Sequence, residues 1–186
     1  GDSSEHEVSL RSAAGILSFM DAERYDCRIV AQRGQSMHVL DGERQYPINL
    51  HDFSYEVDGK RQTFDFAYIT IHGTPGENGI LQGYFDLIGL PYSTSGVLVE
   101  ALTFNKFALN NYLRALPGIH VSDSLMVRRG QTLPTPEEIV ERVGLPCFIK
   151  PNAGGSSFGV SKVKNADQLA PALRKAFMEN NEAMIE

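Results

Sequence analysis

An α/β fold is the class this sequence predicts, and three stretches predict it. Phe64 to Ile71 (FDFAYITI) is a continuous apolar run ended by His72-Gly73, and such a run suits a parallel strand covered on both faces. A glycine-rich loop and a helix from about Ile80 to Ile88 follow it. In the second half, Cys147-Phe148-Ile149 leads into IKPNAGGSSFGV and a returning strand over Gly159 to Lys164. Helix-start signals, Ser4-x-x-Glu7 and Thr135-Pro136-Glu137-Glu138, complete the alternation. The organisation expected is a parallel-sheet α/β domain over residues 1–102, then an α+β domain over 103–186.

Taken in order, an amphipathic helix follows the first capping box, with Val8, Leu10, Ala14, Leu17 and Met20 among its apolar positions. Cys27 to Ala31 reads as a short strand. Asp41-Gly42 and Asp58-Gly59 are tight-turn dipeptides beside strand-like runs, Met37 to Leu40 and Phe53 to Val57. After the helix at 80–88, Gly89-Leu90-Pro91-Tyr92 is a break and Ser93-Thr94-Ser95-Gly96 a turn-rich linker. Val97 to Leu102 and Thr103 to Leu116 read as helical, with the domain boundary near Leu102. Ser124 to Val127 reads as a strand, and Pro136 to Val143 as a helix ended by Gly144. Asn165 is the expected cap of a helix running to about Asn180, its start displaced toward Leu169 by Pro171. Ala183 to Glu186 begins a last strand.

Composition narrows the function. The chain has 186 residues, 42% of them hydrophobic, enough for one large domain or two small ones. No apolar run approaches the roughly 20 residues a membrane helix needs. The polar, acidic start does not read as a signal peptide. A net charge of −6 gives no basic stripe for nonspecific nucleic-acid binding. The two cysteines, Cys27 and Cys147, are far apart and flanked by strand-like sequence, which favours buried reduced thiols and a cytoplasmic setting. Because Gly1-Asp2 stands directly before a helix signal and Glu186 falls inside a strand, both ends are expected to be cut.

The stretch with the most chemistry is Ile149 to Val160. Gly154 and Gly155 can adopt backbone angles closed to other residues, so that successive N–H groups turn toward one point. Ser156 and Ser157 add hydroxyls, and Lys150 a positive charge at the base. That equipment holds nucleotide phosphates, although an ordinary glycine-rich hairpin would use the same residues. The familiar phosphate-loop pattern is excluded, since Val160 follows Gly159 where that loop needs Lys. His72 falls at the carboxyl end of the 64–71 run, where open α/β sheets place ligands; otherwise it caps its loop. Read locally, Glu5 faces the positive end of a helix dipole and Lys106 is a solvated helix residue.

Together GDSSEHEVSLRSA, IHGTPGENGILQGYFDLIGLPYSTSGV, the Lys106 helix, GLPCFIKPNAGGSSFGVSKV and the terminal MIE resemble the D-alanine–D-alanine ligase family of the ATP-grasp superfamily. The resemblance covers nearly the whole chain and is weakest from about Gln32 to Thr63. It implies a Rossmann-like pre-ATP-grasp domain followed by the central part of an ATP-grasp fold, without the C-terminal part. It implies ATP-dependent joining of two D-alanines through an acyl phosphate, for peptidoglycan precursors, in the cytoplasm and as a homodimer. It places Glu5 on the ammonium of the first D-alanine, His72 on the substrate side, and Lys106 and Lys150 on ATP phosphates. Gly155, Ser156 and Ser157 correspond to the flap over those phosphates, with Ser156 also linked to Glu5 and counted with it as catalytic. Glu186 begins the adenine-binding segment, and the magnesium ligands lie outside these residues. Three departures stand out: Phe104-Asn105 where the family has Met-Asp, Asn78 where its HGxxGEDG pattern is acidic, and Ala153-Gly154 where some relatives carry a charged pair. Alternatives are a D-alanine–D-lactate or D-serine ligase, another ATP-grasp carboxylate–amine ligase, and a non-catalytic nucleotide-binding module.

Overall fold

Two-residue turns shape the first half of the chain. In the computed structural model, which describes residues 1–186, β1 (Ile29–Arg33), β2 (Ser36–Asp41) and β3 (Arg44–Pro47) form an antiparallel three-stranded sheet, and β4 (Tyr55–Val57) pairs with β5 (Lys60–Gln62). Val57 lies opposite Lys60, leaving Asp58 and Gly59 as the loop, both at positive φ as a type I′ turn requires. The first strand starts at Ile29, two residues later than its sequence suggests. Helix α1 (His6–Phe19) precedes this sheet, and α2 (Ile80–Ile88) follows it. Phe53, Tyr55, Leu81 and Phe85 build the core, with Phe53 meeting Phe85 edge-on at 5.1 Å between ring centres.

Two local expectations change here. The run Phe64–Ile71 forms no strand, and its parallel pairing is confined to one bridge, Ala67 with Tyr92. Ala67 N–H donates to the Pro91 carbonyl (2.8 Å) and Ser93 N–H to that of Ala67 (3.1 Å), whereas Ile69 N–H turns to the Ser93 hydroxyl. A ladder stops where a side chain takes its next donor. Likewise α1 begins at His6 with Glu5 as N-cap and no side-chain cap bond, so the Ser4–Glu7 box does not form. At this end the Ser3 hydroxyl accepts from Glu5 N–H and donates to the His72 carbonyl.

Residues Gly1–Glu100 form one unit and Ala101–Glu186 another. Helix α3 (Val97–Phe104) spans the division. In the second unit β6 (Leu125–Arg128), β9 (Glu182–Ile185), β7 (Cys147–Pro151) and β8 (Ser161–Val163) make an antiparallel sheet in the order β6-β9-β7-β8. The register puts Leu125, Val127, Cys147, Ile149, Val163 and Ile185 on one face, where α5 (Pro136–Val143) and α6 (Leu169–Glu179) bury them. Alternation then sends Lys150, Asn152, Met184 and Glu182 to the other face. Cys147 is a buried free thiol whose pKa burial pushes up, so it is a packing residue.

The expected capping box at Thr135 is complete. Its hydroxyl accepts from Glu138 N–H at 3.2 Å, and the Glu138 carboxylate accepts from Thr135 N–H at 2.7 Å. Asn165 is the N-cap, without a side-chain bond, of a 3-10 turn (Ala166–Gln168), and α6 starts at Leu169 as expected, which puts Pro171 in its first turn, where its missing N–H costs nothing. Replacing Thr135 with Ala is expected to lower unfolding free energy by about 1 kcal/mol, measured by urea melts; an unchanged midpoint would mean that the box adds nothing to α5.

Candidate functional site

Substrate-side candidates gather at the start of α1. Glu5 is its N-cap and is 4% exposed. His72 is held against the same helix by three serines. The Ser3 hydroxyl donates to the His72 carbonyl (2.8 Å), His72 N–H donates to Ser9 Oγ (2.9 Å), and Ser12 Oγ lies 3.3 Å from His72 Nε2. Ser9 Oγ in turn donates to the Glu5 carbonyl, so one hydroxyl links the two candidates. Glu77 closes the HGTPGENG loop, its carboxylate accepting from Gly73 N–H at 2.5 Å. Gly73 sits at φ +73 with its missing Cβ only 2.6 Å from Ser3 Cβ, so glycine alone lets this loop reach the helix end.

Phosphate-side candidates gather on the second unit's polar face. Lys106 is the first residue of α4 (Lys106–Arg114), where a cation meets the positive end of the helix dipole and gains nothing locally. Its Nζ donates instead to the Gly154 carbonyl at 2.6 Å, at the glycine loop. Lys150, which precedes that loop on β7, pairs through Nζ with Glu186 Oε1 at 2.5 Å, both side chains mostly shielded from solvent. Glu186 is held in turn by reciprocal backbone bonds with Phe148, of 2.6 and 2.9 Å.

The loop is a tight succession of turns, and its strain sits on unexpected residues. Gly154 has φ +146, but the left-handed angles fall on Ser156 (φ +47) and Ser157 (φ +60) rather than on Gly155. Non-glycine residues held there store of order 1–3 kcal/mol each, an arrangement that gathers at ligand clamps. Both serines are exposed, while Gly159 anchors the return: its absent Cβ would stand 2.8 Å from Pro151 Cγ. Nowhere do three His, Cys, Asp or Glu side chains converge as a metal needs.

A model of the D-ala D-ala ligase N-terminus matches residues 1–95, and one of the D-ala D-ala ligase C-terminus matches residues 113–186. The chain belongs to the D-alanine–D-alanine ligase family. A D-alanine–D-alanine ligase of Phocaeicola vulgatus is 58% identical over this whole chain, and one of Bacteroides fragilis is 54% identical. The chain spans 57% of the length of each. Among solved structures, D-alanyl-alanine synthetase A from Vibrio cholerae superposes over the whole chain and 56% of its own, with TM-score 0.84 and 29% identity. The VanG D-Ala:D-Ser ligase from Enterococcus faecalis gives 0.82 and 28%, over the whole chain and 60% of its own. The mixed α/β, ATP-grasp class expected from sequence is thus the fold of these ligases.

Several participants were not legible in the sequence, among them Ser3, Ser9, Ser12, Asn152 and Glu182. Glu182 Oε1 accepts from Arg128 Nε and its Oε2 from Asn152 Nδ2, each at 2.8 Å. The Arg128 guanidinium, then the Asn152 amide, hold this carboxyl below its ordinary value of 4.5. A carboxyl lowered on folding stabilises the fold above its unfolded pKa, and that contribution disappears as pH falls through the folded one. Glu182→Gln is therefore expected to be less stable than the parent near pH 7, by a margin that has narrowed at pH 3. Urea midpoints at both values measure this, and a gap that stays as wide in acid would rule out the carboxylate as its origin.

Proposed function

We propose that this chain forms the substrate-side and central nucleotide-binding parts of an ATP-dependent D-alanine–D-alanine ligase. The observation that carries this is the Lys106 ammonium held 2.6 Å from the loop carbonyl of Gly154, just beyond Lys150 on the adjoining strand. Two lysines at one glycine–serine loop suit a polyphosphate far better than they suit a structural turn. When bound, ATP would supply a γ-phosphoryl group to a D-alanine carboxylate, leaving ADP and an acyl phosphate from which the amine of a second D-alanine displaces phosphate.

The chain's own residues then have separable tasks. Glu5, buried at a helix start, holds the ammonium of the first D-alanine, and His72 faces the same substrate. Lys106 and Lys150 offset negative charge on the phosphates. Ser156 and Ser157, with Gly155, present hydroxyl and N–H donors from the flap and keep water from the activated carboxyl, which would otherwise hydrolyse. Glu186, oriented by Lys150, meets the adenine. The reading includes residues 1–102 as the substrate-side domain and 103–186 as the central one, a cytoplasmic location, a homodimer, and magnesium held outside these residues. A second reading, D-serine as the acceptor, is favoured by the likeness to the D-Ala:D-Ser ligase.

Phosphate release by the intact enzyme with ATP, magnesium and D-alanine tests the proposal. Release with D-alanine alone and dipeptide as product is expected; release only when D-serine or D-lactate is added would transfer the protein to the mixed-product ligases. Lys150→Ala should reduce turnover at least about 100-fold with the fold retained by circular dichroism, in line with losing one preorganised charge. Activity within a few-fold of the parent would remove Lys150 from the phosphates. Glu5→Gln should raise KM for D-alanine more than KM for ATP, and an equal rise in both would displace Glu5 from the substrate.

A further inference from the structure

The side chain of Asn152 is completely buried, and neither its position in IKPNAGG nor the proposed chemistry accounts for it. Apart from a weak contact of Nδ2 with Met126 Sδ (3.8 Å), its hydrogen bonds converge on the start of α4 and on Glu182. Lys106 N–H donates to the Asn152 backbone carbonyl (3.0 Å) and Phe107 N–H to Asn152 Oδ1 (2.9 Å). Ala108 N–H donates to Asn105 Oδ1 (2.9 Å), which also accepts from Asn152 Nδ2 (3.0 Å). The same Nδ2 donates to Glu182 Oε2 (2.8 Å), and Asn152 N–H donates to the Glu182 carbonyl (2.9 Å). A helix leaves its first N–H groups without intrahelical partners. Here a residue from a distant strand end supplies two of the three acceptors.

We propose that Asn152 is the positioning residue that fixes Lys106 against the glycine loop, and thereby sets the affinity for nucleotide phosphates. The inference rests on the nucleotide half of the function proposed above. Lys106 can reach Gly154 because its own backbone is bound to Asn152, two residues before that glycine. Only an amide meets every demand at this point. Alanine leaves the Phe107 N–H and the Glu182 carboxylate without their partner. Aspartate keeps an acceptor for Phe107 but turns a second oxygen toward the Glu182 carboxylate and toward Asn105 Oδ1. Asn105 cannot flip to relieve this, because its oxygen is committed to Ala108 N–H. Lys150 takes no part in the network, so its pairing with Glu186 should survive.

The swap of Asn152→Asp with Glu182→Gln is the discriminating variant. The amide introduced at position 182 can donate Nε2–H to the carboxylate introduced at position 152, while its oxygen still accepts from Arg128. The contact with position 182 is then restored with donor and acceptor exchanged, while the one with Asn105 Oδ1 is not. In the intact enzyme, Asn152→Asp is expected to weaken binding of a fluorescent ATP analogue about tenfold or more, as for a lost charge-assisted hydrogen bond. KM for ATP should follow, KM for D-alanine should stay within about twofold, and the double variant should recover part of the nucleotide affinity. A merely structural asparagine predicts otherwise: a lowered melting temperature with nucleotide affinity unchanged, or a double variant no better than the single. Either result would overturn the proposal. If the parent binds nucleotide but releases no phosphate with D-alanine, the substrate assignment fails, while the affinities still decide the role of Asn152. A parent that binds no nucleotide overturns both.

Discussion

A polar side chain is tolerated in a dry interior only when its donors and acceptors are matched, and in the second unit Asn152 meets that condition by joining three elements. Strand β7 leads into it, α4 starts on it, and β9 is tied to it through Glu182. Much of the polar face follows from this one amide. The helix start is fixed, so Lys106 is fixed; Glu182 is fixed, so Arg128 has a partner. The apolar face opposite is bound by ordinary packing under α5 and α6. The two faces divide the labour, one supplying cohesion and the other directed bonds around the lysines.

A comparable economy operates at the start of α1. Ser3, Ser9 and Ser12 lie along one side of the helix entrance, and each binds a different atom of His72. The histidine is therefore oriented through its carbonyl, its N–H and its ring. Glu77 holds the following glycine, so the whole HGTPGENG loop is fastened at its first residues. Short serine side chains suit this role because they bind backbone groups at close range and lose little rotamer freedom.

Backbone strain is unevenly distributed. Where glycines line a loop, they are expected to take the left-handed angles, yet Ser156 and Ser157 do so here. Gly159 is left-handed as well, at φ +74, and also approaches Pro151 closely. The flap is thus anchored at its return and strained at its tip, the combination expected of a segment whose tip must meet a ligand.

Features governed by near neighbours in the chain were legible from sequence. The Thr135 box, the Asp58-Gly59 turn and the strand–loop–strand at 147–163 form as expected, because each depends on residues within a few positions. The candidate residues were legible too, since the order of several motifs named the family. What the tertiary structure decided were the partners of groups distant in sequence. The Ser4–Glu7 box does not form, and Ser3, tied to the distant His72 carbonyl, bonds the Glu5 N–H at that helix end. The 64–71 run kept only one parallel bridge because Ser93 takes the next donor. Asn152 looked like one more loop residue because nothing within its own motif needs its amide. Its donors and acceptors are satisfied by α4 and β9, and hydrogen bonds between segments far apart in the chain leave no periodicity to read.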